Sequence, residues 1–89
     1  MRREGDRLHV EGPLTLRTVP DLVGAAQEHF QAGVREIDFA QVTEVDSSAI
    51  ALALEWQRQA AGSQIRLKLE NLPQAMQNLA RLYGVADLL

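Results

Sequence analysis

The stretch Val34-Arg35-Glu36-Ile37-Asp38-Phe39-Ala40-Gln41-Val42-Thr43-Glu44-Val45-Asp46-Ser47-Ser48-Ala49-Ile50-Ala51-Leu52-Ala53-Leu54-Glu55-Trp56 reads as a strand, a turn and a helix in direct succession. Ile37 and Phe39 are apolar and Glu36 and Asp38 polar, the period-two pattern of a strand with one face buried. Asp46-Ser47-Ser48 is a polar turn, and from Ala49 onward the residues are good helix formers. Asp and Ser favour a helix start because their side-chain oxygens accept the first free backbone N–H groups. Ser47 is therefore expected at or beside a helix N-terminus, where an added phosphate would be reachable and electrostatically favoured.

Before this stretch, Leu8 and Val10 flank His9 and are followed by Gly12-Pro13, which reads as a strand ending in a turn. Leu14 and Leu16 alternate with Thr15 and Arg17, predicting a second short strand. Thr18 is the expected N-cap of a first helix, with Asp21 in place of the usual Glu of a capping box. That helix carries Val19, Leu22, Val23, Ala26 and Phe30 on one stripe and stops at Gly33. Gly24 in its interior costs up to about 1 kcal/mol relative to Ala, which a close approach to the sheet would explain.

After it, the second helix runs to about Ala61. Ala49, Ala53, Trp56 and Ala60 share one face, with Ile50, Leu54 and Ala61 on a neighbouring one. Only Glu55, Arg58 and Gln59 read as solvated, so the first two turns are apolar nearly all round. Trp56 is expected as half-buried core, and part of Ala51, Leu52 and Trp56 as surface left for a partner. Gly62-Ser63 breaks the helix. Ile65, Leu67 and Leu69 then alternate with Arg66, Lys68 and Glu70 as a strand. Asn71-Leu72-Pro73 opens a third helix, with Ala75, Met76, Leu79, Ala80, Leu82 and Tyr83 expected inward and Gly84 as its stop. Strands alternating with helices in this way imply a largely parallel sheet in one small α/β domain spanning residues 1–89.

Composition narrows the chemistry. There is no cysteine, so neither a disulfide framework nor thiolate catalysis is available. The charged opening Met1-Arg2-Arg3-Glu4 lacks the apolar core of a secretory signal, and Arg2 and Arg3 read as a solvated terminus. No apolar run reaches the roughly 18 residues that span a bilayer, so direct membrane insertion is not expected. A net charge of −3 argues against nucleic-acid binding. His9 and His29 occur without metal-ligand spacing and read as ordinary surface residues, so no metal site or cofactor is expected. There is no Walker-type loop, and nothing brings a histidine to Ser47 for a catalytic triad. An enzyme is not expected.

The run Ile37-Asp38-Phe39 through Asp46-Ser47-Ser48-Ala49-Ile50 resembles the signature of STAS domains, the anti-sigma-factor-antagonist fold. In that signature a strand ends in apolar-Asp-apolar, and Asp-Ser-Ser-Gly opens a helix after a short loop. The stretch from Asn71-Leu72-Pro73 to Leu89 further resembles the STAS subunits of Mla-type phospholipid-transport ABC complexes. The resemblance implies a mixed four-to-five-stranded sheet with about three helices mostly on one side. It implies a non-catalytic cytoplasmic subunit that binds and regulates the complex's ATPase, reaching the inner membrane only through that complex. The alternative it implies is an anti-anti-sigma factor that sequesters an anti-sigma factor kinase until Ser47 is phosphorylated.

Seven residues are the candidate motif and interface: Asp38, Asp46, Ser47, Ser48, Ala51, Leu52 and Glu55. Each has a plainer reading. Asp46-Ser47-Ser48 can be only a helix cap, and Asp38 only a solvent-facing strand carboxylate. Two departures from the family pattern are visible. Ala49 stands where the motif has glycine, adding a methyl where a partner is expected to approach, and the last strand and helix of many members are not seen before Leu89. A partner is expected to cover the edge those elements would cover, and a weak homodimer through the apolar helix stays open.

Overall fold

Four strands form one mixed sheet in the order β1-β2-β3-β4, and the computed structural model describes all of residues 1–89. β1 (Arg2–Glu4) and β2 (Arg7–Leu14) are an antiparallel hairpin, while β2, β3 (Glu36–Val45) and β4 (Lys68–Glu70) run parallel. Parallel neighbours need crossovers. The first is carried by α1 (Val19–Leu22) and α2 (Gln27–Gln31), the second by α3 (Ser47–Gly62). α4 (Gln74–Leu82) and a 3₁₀ turn at Ala86–Leu88 close the chain. The expected mixed sheet is present, with four strands.

The two opening strands lie earlier than their alternation suggested. Arg2 and Arg3 are not a free terminus: they pair with His9 and Leu8 across a turn in which Gly5 has φ +64°, the left-handed value a two-residue hairpin turn requires. β2 continues through Gly12-Pro13 to Leu14, because Gly12 (φ +81°) absorbs a slip in register against β3. The predicted strand over 14–17 does not form. Residues 15–18 make a turn held by the Thr18 hydroxyl, which accepts from the Thr15 N–H (2.9 Å) and donates to the Pro13 carbonyl (2.8 Å). Thr18 is thereby taken up and does not cap α1 with its side chain.

The predicted first helix is broken into two short pieces. Gly24 is exposed and nothing lies within 4 Å of where its Cβ would stand, so no close approach to the sheet accounts for it. Two α3 side chains bind the break instead. Trp56 Nε1 donates to the Leu22 carbonyl (3.2 Å) and Gln59 Nε2 to the Val23 carbonyl (2.9 Å). Gln59, read as solvated, is therefore buried, with its Oε1 lacking a partner. Trp56 is fully buried and its ring meets Phe39 at 6.5 Å, tilted by 49°. Leu8, Val10, Ile37 and Phe39 give the sheet its buried face, and the apolar side of α3 covers it.

Further along, Ile65 and Leu67 are buried as the alternation implied, but ladder pairing is confined to 68–70. In α4 only Met76 and Ala80 are buried, with Leu79 partly so. Ala75 and Leu82, expected inward, are seven positions apart and share an exposed face about 100° round the helix from Met76. Tyr83 is also exposed: the chain turns back at Gly84 (φ +71°), and Val85, its N–H on the Ala80 carbonyl at 2.8 Å, packs on the core instead. No helix is long and apolar enough to cross a membrane.

Candidate docking site at the start of the long helix

Asp46 is the residue from which this end of the molecule is built. Its backbone is extended (φ −129°, ψ −169°), the conformation of a residue just outside a helix, and its Oδ1 accepts the Ser48 N–H at 2.8 Å. Its second oxygen, Oδ2, accepts the N–H of Leu16 at 2.9 Å. One carboxylate thus caps α3 and fastens the 15–18 turn beside it. The two backbone donors, Leu16 first and Ser48 second, hold the Asp46 carboxyl below its ordinary range. Ser47, the first helical residue, is exposed, and Ser48 is half-buried. The expectation of a polar turn launching a helix, with a reachable hydroxyl at its head, agrees with this geometry.

The expectation that the first coils of α3 stay uncovered does not. Leu52 is 1% exposed and Trp56 is sealed in the core; Ala49, Ile50 and Ala53 are buried with them. α1, α2 and α4 pack around this helix, and its Trp56 meets Phe39 of the sheet. What remains outside is a narrow stripe: Ser47, Ala51, half-buried Leu54 and, farther along, Arg58. Glu55 borders it, its carboxylate engaged by the Arg58 guanidinium (Nε–Oε1 2.8 Å) and the Gln59 amide (3.1 Å). Leu52 thus does not belong to the surface, whereas Ala51 does. Ala49 is also inside, so its methyl packs against the core and does not obstruct a partner.

Asp38 lies elsewhere and is no solvent-facing carboxylate. It is 7% exposed on the sheet face opposite the core, seven positions before Val45 and so roughly 23 Å away along β3. It accepts from Asn71 Nδ2 (3.0 Å), the Ala40 N–H (2.8 Å) and Arg7 (2.9 Å). These bonds, Asn71's foremost, depress its pKa against the opposing effect of burial. Arg7 also reaches Glu36 (3.2 Å) and Glu70 (2.8 Å), so one guanidinium ties β2, β3 and β4 together. His9 is not free surface either: its ring stands 3.2 Å from Glu4 and 3.8 Å from Asp38. This cluster is a structural clasp across the sheet, separate from Ser47.

Sequence reasoning missed the other half of the site. Leu16, read as a strand residue, projects from the 15–18 turn with 75% of its surface exposed. With Thr15, Arg17, Glu44, Val45 and Asp46 it lines a groove of about 400 Å³. The spacing Thr15-x-x-Thr18 after Gly12-Pro13 was the available sign of a hydroxyl-held turn. Chemically, the region offers a hydroxyl, one projecting leucine, small apolar side chains and mixed charges. That composition suits protein contact.

A family model described as "Mlab, STAS domain" matches residues 1–89. Among solved structures, one titled "Crystal Structure Analysis of Mglu" is 25% identical with a TM-score of 0.59. The match covers 82% of this chain and 19% of that one, so this chain spans about a fifth of the other's length. No curated protein matches the sequence.

Proposed function

The chain belongs to the STAS-domain family whose model is described as Mlab, and on that premise we propose that it is a protein-interaction subunit that binds and regulates the cytoplasmic ATPase of an Mla-type phospholipid-transport ABC complex. STAS domains are in general non-catalytic regulatory modules, which fits a surface without a convergent catalytic constellation. The observation that carries the reading is the exposure of Ser47 at the head of α3, in a segment whose backbone the Asp46 carboxylate fixes through the Ser48 and Leu16 N–H groups. A rigid, preformed surface of this kind orders little on binding and so loses little affinity to entropy.

The mechanism is differential binding. The Ser47–Ala51 stripe and the turn beside it fit one conformation of the ATPase better than another, and the population shifts toward the conformation that fits. The subunit then changes turnover without touching nucleotide. To test this, the ATPase is purified with and without the chain, and its melting temperature and ATP hydrolysis are compared. A higher melting temperature and altered turnover in the complex are expected, and identical values in both preparations would contradict the reading.

The exposure of Ser47 at a helix N-terminus also favours the second reading, an anti-anti-sigma factor switched by phosphorylation at that hydroxyl. Incubation with an anti-sigma factor kinase and ATP, followed by intact-mass measurement, distinguishes it. A phosphate on Ser47 supports the switch, and an unmodified chain removes it.

A further inference from the structure

We infer that Leu16 is the anchor of the ATPase contact and enters an apolar socket whose rim offers an acidic group to Arg17 and a basic group to Glu44; this rests on the reading of the chain as an ATPase-binding subunit. A single exposed leucine is ordinary on a surface. Leu16, with 75% of its surface exposed, differs in how firmly it is presented. The Thr18 hydroxyl joins Thr15 to Pro13, and the N–H groups of Thr18 and Val19 both reach the Thr15 carbonyl (3.0 and 2.9 Å). The Leu16 N–H itself is held by Asp46. The side chain therefore stands on a fixed backbone, and its burial in a partner orders little that is not ordered already.

Its position joins it to the head of α3. The carboxylate that holds the Leu16 N–H also holds the Ser48 N–H, so a single carboxylate spans the distance between the two segments. An ordinary interface covers about 800 Å² of each partner, and one centred on exposed Ser47 takes in Leu16. Charge then sets the chemistry of the socket. Leu16, Arg17 and Glu44 line one groove with Thr15, Val45 and Asp46. Arg17 and Glu44 are exposed, and neither forms an ion pair with the other or with any residue of the chain. Asp46 is already engaged by its two backbone donors. One free cation and one free anion thus share the groove with the leucine. A partner surface of one sign gains at one of them and is repelled by the other, whereas a surface bearing both signs gains at both.

The test is titration calorimetry of the Mla-type ATPase from the same organism with the unmodified chain, Leu16→Ala, Arg17→Glu, Glu44→Lys and the variant carrying both charge reversals. Leu82→Ala is the control, because Leu82 is equally exposed (74%) and lines no part of the groove. Leu16→Ala should lower the affinity at least about tenfold. Its melting temperature should stay within about 2 °C, since alanine keeps the N–H that Asp46 binds. Leu82→Ala should change the affinity by less than about twofold. Arg17→Glu and Glu44→Lys should each weaken binding about fivefold at low salt, and together by about the product, because they face different groups on the partner. Sedimentation of the chain alone should show a monomer at the same concentrations; a dimer lost on Leu16→Ala would give the leucine to a second copy and overturn the inference. Full affinity in Leu16→Ala, equal losses in Leu16→Ala and Leu82→Ala, or tighter binding by either charge reversal would overturn it while leaving the ATPase reading in place. No binding by the unmodified chain would overturn both.

Discussion

Asp46 and Leu16, thirty positions apart, are joined by one hydrogen bond of 2.9 Å from the Leu16 N–H to the Asp46 carboxylate. The same carboxylate caps α3 through Ser48, so the turn after β2 and the start of α3 are positioned by a single side chain. Asp46→Ala should therefore do more than remove a cap. Thermal unfolding should show a midpoint lowered by several degrees, and amide exchange should accelerate at both Leu16 and Ser48. Acceleration at Ser48 alone would mean the Leu16 turn is held by Thr18 without help.

Neighbouring positions on α3 should respond in opposite ways. Leu52 is in the core, so Leu52→Ala should cost about 2–5 kcal/mol of stability in denaturant unfolding. Ala51 is exposed, and Ala51→Glu should stay within about 0.5 kcal/mol while weakening ATPase binding. The contrast separates a docking defect from a folding defect.

The clasp around Arg7 predicts acid sensitivity with a definite sign. Asp38 has a folded-state pKa depressed below its unfolded value of about 3.9. The stability it contributes is therefore complete above that value and lost as pH falls through the lower, folded-state one. Asp38→Asn should cost about 1–3 kcal/mol at neutral pH, leaving Arg7 to Glu36 and Glu70. The melting temperature of the variant should also fall less steeply below about pH 4. Some slope should persist, because Asp46 is depressed as well.

Gly24 should be replaceable. It has neither a left-handed backbone nor a crowded Cβ position, so Gly24→Ala should stabilise the chain by about 0.4–1 kcal/mol through the unfolded state. Destabilisation would show that the break between α1 and α2 needs glycine's freedom after all.

These residues also show what was legible in the sequence. The alternation through Ile37 and Phe39 and the Asp46-Ser47-Ser48 helix start are local signals and both elements form, although the strand read over Val34–Phe39 runs from Glu36 on to Val45 and the helix begins at Ser47 itself. Leu14 and Leu16 misled, because alternation over four residues does not distinguish a strand from a turn held by Thr18 Oγ1. The broken first helix was hidden because Trp56 and Gln59, far along the chain, satisfy the carbonyls at the break. Leu52 and Asp38 failed for one reason: burial depends on which elements pack together, and an apolar helix or a polar strand residue does not announce its neighbours. The head of α3 was readable as a candidate site, but its Leu16 half was not.

In the proposed function the head of α3 is a contact surface as well as a cap. The direct measurement is the affinity of the Mla-type ATPase from the same organism for the unmodified chain and for Ser47→Asp, by titration calorimetry, beside the melting temperature of each. Ser47 is exposed and Asp is accepted in a first helical turn, so the melting temperatures should agree within about 2 °C. Affinity should fall at least about tenfold, because a charge is placed in the contact. Equal affinity for both chains, or no binding by the unmodified one, would contradict it.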